Sequence, residues 1–396
     1  MNDSFDAVVI GAGPAGSSAA AVLAGFGRTV LLLEKELFPR HKVCGEFLSA
    51  DALPSLERIG AREIVEAATA ERITSGVLHL GNGRTVVFRL PAPALGISRF
   101  LLDDLLAKRA RDSGADVRFA VRVRSAAPAT GARFRVRFVH RQVEREVEAR
   151  AVIGAWGRWD ALDRTFERRF LGRRARFFGW NRDYRGDARF LEGEVRLYLF
   201  AGGYCGLSRV ERGALNLAGV VSESVWKEAG GGWTGVVEKA RRGNAALDSD
   251  LAKLEPGPIG FLGTGPVFFT RKPPTENGLL MAGDAAGVID PFSGEGQAAA
   301  LASGILAAET AERLLCGELS PAACARAYAE AWGQRFARRF AWSAAFRRLI
   351  LIRPIGAIAG RIAGEKLVRF AISAIGGSGG YFGNIRPKTP KYLPDP

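Results

Sequence analysis

Apolar and polar positions along the chain follow one grammar early and repeat it late. Residues 7–10 form a continuous apolar run, the pattern of a strand buried on both faces, and a glycine-rich turn and an Ala-rich stretch of helical length follow it. A second apolar run, 29–33, ends in Glu34. The same order returns over 277–315. Apolar residues 279–282 precede Gly283-Asp284, a turn holding Pro291, Gly294 and Gly296, and a long Ala/Leu helix. Between these blocks Leu102, Leu105, Leu106 and Ala110 fall near helical spacing, and a strand is predicted over 117–123. A further strand and glycine turn occupy 151–160. "GVLHLGNGRTVVFRL" reads as a hairpin turning at Gly81-Asn82-Gly83. "RFRVRFV" alternates as a half-exposed strand does, and 194–221 reads as three short strands separated by glycine turns. From Ala331 the pattern is helical, rich in aromatics and arginines, then Gly/Pro-rich.

Composition narrows the classes. A chain of 396 residues that is 47% hydrophobic can bury a large core in two or three domains. Its formal charge of +15 suits a phosphorylated ligand or an anionic membrane surface. The arginines are scattered, and nucleic-acid binding is not expected. Four cysteines without CxxC spacing and three distant histidines support neither zinc nor an iron–sulfur cluster, so no metal is expected. The uncharged run over 7–27 is long enough but belongs to the strand and glycine-rich turn and holds Pro14, so no membrane span is expected. The short acidic start is not a signal peptide. A reducing cytoplasm is therefore the expected compartment, with peripheral membrane contact through the basic, aromatic C-terminal segment as a minority expectation.

Gly11, Gly13 and Gly16, with Pro14 and Ala15 between the last two, stand in G-x-G-x-x-G spacing between strand and helix. The first glycine permits the tight turn, the second lets backbone approach a pyrophosphate, and the third allows close helix–strand packing. The helix N-terminus then offers N–H groups and a positive dipole end. Glu34, 23 residues after Gly11, is placed to hydrogen-bond ribose hydroxyls. Asp284, directly after a strand, can accept from a polyol chain. The fingerprint alone serves NAD and FAD equally.

The early GxGxxG…E paired with the late "GDAAG…DPFSGEG" resembles the p-hydroxybenzoate hydroxylase superfamily, and more closely its geranylgeranyl reductase or FixC-like branch. The resemblance implies FAD as cofactor, with Asp284 on the ribityl chain and the Gly294–Gly296 turn facing the isoalloxazine. It extends the FAD set to Lys35, Arg40, Cys44, Gly45, Arg99, Val123, Ala155, Gly157 and Gly283. It implies an α/β chain (α+β overall): a Rossmann-like FAD-binding domain over 1–75, 96–165 and 271–330, interrupted by a mixed β-sheet substrate domain over 76–95 and 166–270, then a helical C-terminal region over 331–396. The family's hydroxylases carry Asp-Gly where this chain has Trp156-Gly157, so the reductant is read as NAD(P)H or a reduced electron carrier.

"KVCGE" matches the Cys-Gly element of the prenyl-reductase branch. By resemblance Cys44 lies beside the flavin as proton donor or as packing; Tyr204 and Cys205 on the substrate sheet are expected to face the pocket, and Cys44 and Tyr204 are the catalytic candidates. Gly206 and Ser208 stand where that branch carries aromatics. The implied activity is reduction of a carbon–carbon double bond in a hydrophobic, isoprenoid or polyketide-like small molecule. The alternative is hydroxylation of an aromatic or polyketide substrate, and a third option is a non-catalytic flavin-binding partner. Halogenation is disfavoured by the absence of a W-x-W-x-I-P element.

Overall fold

The computed structural model describes residues 4–69, 71–174 and 176–351. The C-terminal segment from 352, which carries part of the expected membrane contact, lies outside the described residues. Two eight-stranded sheets organise the rest. The first has a parallel core, ordered Leu279–Met281, Val143–Gly154, Ser4–Ile10, Val30–Leu33 and Asp116–Arg118. Residues 7–10, 30–33, 151–154 and 279–281 of its strands are apolar because they are buried on both faces.

Helix Pro14–Gly25 packs against helix Gly296–Leu315 so closely that a Cβ on Gly304 would stand 2.0 Å from Ala15 O. Ser18 Oγ donates to Leu301 O across the same contact. The two halves of the repeated grammar are therefore neighbours in space. Helix Pro321–Leu351 lies over the second of these helices, burying Trp332 and Phe336, and Tyr328 Oη donates to Met281 O.

The second sheet is ordered Leu254–Val267, Phe177–Gly186, Leu215–Ser222, Gly203–Arg209, Glu194–Phe200, Arg72–His79, Thr85–Gly96 and Phe47–Leu48. One face carries Trp180, Tyr198, Cys205 and Leu217 into a core closed by helices Trp233–Gly243 and Ala245–Leu251. The other faces the first sheet. Residues 90–93 leave the ladder, since Ile73 pairs with Ala94 while Ser75 pairs with Arg89, and Leu90, Pro91 and Ala92 of this bulge line the cavity between the sheets.

The hairpin at 72–96, the three-stranded meander and the half-exposed strand Arg133–His140 fold as their patterns predict. The strand predicted over 117–123 is instead two. Asp116–Arg118 pairs with Val30–Leu33, and the chain then kinks at Ala120 (φ 55°) so that Val121–Ala129 pairs with Arg133–His140. A one-residue kink leaves no mark on apolar periodicity. Among the described residues no helix is long and apolar enough to cross a membrane.

Candidate active site

The fingerprint glycines act as their spacing implies. Gly11 has φ 102°, and a Cβ there would lie 2.5 Å from Ala155 O; one on Gly16 would lie 1.7 Å from Gly11 O. Gly13 is different, because its Cβ would meet only Arg99 Nη2, at 3.7 Å. The turn is thus closed on the protein side and open on the cavity side, and helix Pro14–Gly25 begins with no side-chain cap on its N–H groups. Glu34 is buried and held by Ala12 N (2.8 Å to Oε2) and Glu36 N (3.0 Å to Oε1). Each oxygen keeps a lone pair for a ribose.

Arg99 opens helix Arg99–Asp112 and is buried. Its guanidinium makes a bidentate pair with Asp103, both distances 2.6 Å. Burial opposes its charge, but the Asp103 carboxylate overcomes that and raises its pKa. A cation at a helix N-terminus is unfavourable to the dipole, and this carboxylate one turn on compensates it locally. Lys42 also lines the cavity; burial and the nearby Arg99 lower its ammonium to about 8.

The late motif supplies the facing wall. Asp284 lines the cavity, and its carboxylate makes no hydrogen bond among the described residues. Its backbone is pinned from behind, Lys272 Nζ donating to Asp284 O (2.8 Å) and Arg168 Nη1 to Ala285 O (2.8 Å). Arg168 is itself fully buried against Asp163. Trp156, in place of the hydroxylases' Asp, points away from the cavity mouth and donates from Nε1 to Asp163.

The segment Val43–Glu46 is gripped from both sheets. Arg158 Nη2 donates to Val43 O (3.3 Å), Asn216 Nδ2 to Cys44 O (2.9 Å), Ser208 Oγ to Gly45 O (3.5 Å) and Ile97 N to Glu46 O (3.1 Å). Cys44 Sγ accepts from Gln297 Nε2 (3.2 Å) and from Glu46 N (3.4 Å). Gln297, in the first turn of helix Gly296–Leu315, leaves Oε1 buried without a hydrogen-bond partner among the described residues.

Tyr204 lines the opposite wall, whereas its neighbour Cys205 points through the sheet into the second core, where burial pushes its thiol well up. Strand alternation separates the two, so the expectation that both face the pocket holds for Tyr204 alone. The Tyr204 hydroxyl donates to Asp290 Oδ1 (2.8 Å), and Asp290 also meets Arg347 Nη1 (3.4 Å) from the last described helix. Burial raises the pKa of both Tyr204 and Asp290.

These walls enclose a cavity of 880 Å³, at the upper end of ligand-site sizes, roughly 300–1,000 Å³. A Cβ on Gly45, Gly157 or Gly296 would meet nothing within 4 Å, so the wall there is bare backbone against which a flat ring can lie. The open Gly13 turn, the unpartnered Asp284 carboxylate and the orphaned Gln297 Oε1 fit FAD.

Of the sequence-derived site residues, Gly13, Pro14, Ala15, Cys44, Gly45, Arg99, Ala155, Gly157, Tyr204, Gly283, Asp284, Gly294 and Gly296 line this one cavity. Gly11, Gly16 and Glu34 shape it from behind. Lys35 instead pairs with Asp160 (2.5 Å), Arg40 stacks over Phe38, and Val123 is a core residue away from the lining. Sequence reasoning missed Glu46, Arg158, Lys272, Asp290 and Gln297 as site residues. Glu46 and Asp290 sat inside the quoted motifs and Gln297 directly after one, but Arg158 and Lys272 carry no motif.

Residues 4–184 match the FAD binding domain family. The chain is 28% identical over 351 residues to digeranylgeranylglycerophospholipid reductase 2 of Methanopyrus kandleri, covering 86% of this chain and 85% of the relative. It is 29% identical over 380 residues to the menaquinone reductase of Mycobacterium tuberculosis, covering 88% and 86%. In fold it resembles a geranylgeranyl bacteriochlorophyll reductase-like protein from Thermoplasma acidophilum (TM-score 0.71, 21% identity, 94% and 92% covered). It also resembles a flavin-dependent brominase in fold, with a higher TM-score (0.79, 20% identity, 95% and 94% covered).

Proposed function

We propose that this chain, an FAD-dependent oxidoreductase that belongs to the geranylgeranyl reductase branch of the p-hydroxybenzoate hydroxylase superfamily, saturates a carbon–carbon double bond of an isoprenoid-like lipid. The observation that carries the reading is the chemistry of the cavity's second-sheet wall. Leu78, Phe88, Leu90, Leu197, Ala218 and Val220 supply it, and Tyr204 is the one ionisable side chain that this sheet contributes. A wall without charge takes up an aliphatic chain at about 25 cal/mol per Å² of apolar surface removed from water and offers nothing to a charged substrate. Bound and reduced, FAD supplies a hydride.

The protein's own groups do the positioning. The glycine turn and helix N-terminus receive the diphosphate, Glu34 and Asp284 receive sugar and ribityl hydroxyls, and the Val43–Glu46 loop and the Gly294–Gly296 turn border the ring. The relatives named as lipid and quinone reductases support the same direction.

The test is anaerobic. The flavin-loaded protein is photoreduced and mixed with a geranylgeranyl ether lipid, and the product is weighed by mass spectrometry. Two added hydrogens without oxygen support the proposal. Product that forms only with oxygen and gains one oxygen atom replaces it with hydroxylation.

A further inference from the structure

Reducing a double bond requires a proton as well as a hydride, and neither Cys44 nor Tyr204, the catalytic candidates, is well arranged to give one. The Tyr204 hydroxyl is committed to Asp290, and the Cys44 sulfur accepts two N–H groups, the environment of an acceptor. We propose that Glu46 is the acid that protonates the substrate carbon, an inference that rests on the alkene-reductase reading above.

Glu46 follows Gly45 in the loop against the cavity, is 5% exposed and lines the cavity. Its backbone sits at φ 56°, a left-handed conformation uncommon for a side-chain-bearing residue and held here by the six hydrogen bonds that grip its loop. Oε1 accepts Arg99 N (3.0 Å), while Oε2 makes no hydrogen bond among the described residues.

Two carboxyl groups compete for the start of helix Arg99–Asp112. Glu211, from the turn that joins strands Gly203–Arg209 and Leu215–Ser222, accepts Ser98 N (2.8 Å) and Ser98 Oγ (2.5 Å) and is the less buried of the two. Its proximity opposes ionisation of Glu46, because two adjacent carboxylates disfavour one another. The groups acting on Glu46 are Glu211 and Asp103, which oppose its ionisation, and Arg99, which favours it. Burial outweighs Arg99 and carries the Glu46 carboxyl up to about 8, so it holds its proton at neutral pH.

The step balances. Hydride adds to one alkene carbon, the π electron pair forms a C–H bond at the other with the Glu46 proton, the O–H bond breaks, and a carboxylate remains that solvent reprotonates. The two electrons come from the reduced cofactor.

Glu46→Gln is the discriminating variant because its amide oxygen still caps Arg99 N, so loss of the cap alone changes nothing. FAD affinity, by flavin fluorescence, should stay within about twofold, while single-turnover saturation of the geranylgeranyl ether lipid falls by about 10² to 10⁴, the range of general-acid catalysis. With FAD kept saturating at every pH, the wild-type rate should decline above pH 8, and E46Q should lack that limb. Infrared spectra of the apoprotein near pH 6.5 should show a protonated-carboxyl band that E46Q loses. Wild-type rate in E46Q, retention of the alkaline limb, or an unchanged carboxyl band overturns the role. If wild-type protein saturates no alkene while E46Q still loses the band, the reductase reading fails and takes the catalytic role with it, leaving a protonated carboxyl of another purpose.

Discussion

A buried neutral Glu46 leaves a thermodynamic trace that needs no substrate. Its carboxyl holds a proton up to about 8 in the folded chain, against an ordinary value of 4.5 once unfolded. Between those values the native state binds one proton more than the unfolded state, so stability falls as pH rises. The slope is about 1.4 kcal/mol per pH unit, and across the interval the sum is about 5 kcal/mol, an upper bound because water entering the cavity weakens the burial effect. Below 4.5 both states are protonated and the contribution is fully present; above 8 it is gone.

The sensitive assay is proton release. Unbuffered apoprotein at pH 6.3 is unfolded in urea and back-titrated beside E46Q. Wild type should release one proton more per chain. The stability difference between the two should also shift toward E46Q with each unit of rising pH. Equal proton release in the two proteins refutes the argument, because it places the Glu46 carboxylate charged in the fold, where the helix N-terminus and Arg99 would then outweigh burial.

Three further outcomes follow from the site. Gly16→Ala places a methyl 1.7 Å from Gly11 O, and should yield protein without bound flavin, read from the ratio of visible to protein absorbance; full flavin occupancy would contradict the packing. Lys42, lowered to about 8 in the free protein, must be charged to meet a diphosphate, so FAD affinity should fall up to about tenfold per pH unit above that value. Lys42→Met should bind more weakly at pH 7 and lose this dependence. Tyr204→Phe removes a donor from the buried Asp290 carboxyl and should cost about 1–3 kcal/mol of stability, seen as a lower melting temperature with saturation retained; lost saturation at unchanged stability would instead make Tyr204 the acid.

Much of this architecture was legible in the sequence because nucleotide sites are written in local code. A glycine that needs φ 102°, a second that must leave the cavity open, and an acid at a strand end are each short-range demands. Their recurrence at 283–296 marks residues that line the same cavity. The strand pairings of the substrate meander were equally local. Lys272 and Arg168 were not legible, because donating to the carbonyls of Asp284 and Ala285 depends on which distant loop folds behind them. Lys35 misled for the reverse reason: adjacent to Glu34 in sequence, it is drawn off by Asp160, 125 residues later.

The Val43–Glu46 loop shows why a family motif underdetermines chemistry. "KVCGE" draws attention to the thiol, the most reactive atom in the string, yet the folded chain gives that sulfur two donors and the carboxyl two residues on only one. The difference originates outside the loop. Gln297 comes from directly after the late motif, while Asn216 and Ser208 come from the second sheet, and Glu211 takes both Ser98 donors at the helix terminus, leaving Glu46 only Arg99 N. Each sheet therefore sets one property of the same four residues. The flavin-side elements fix where the sulfur points, and the substrate-side elements fix which carboxyl stays neutral. A substitution at Glu211, which never lines the cavity, should then alter the protonation of Glu46. Glu211→Gln removes the competing charge, lowers the Glu46 carboxyl toward its ordinary range and moves the alkaline limb of saturation to lower pH. An unmoved limb would show that burial alone, and not the paired carboxylates, keeps the proton on Glu46.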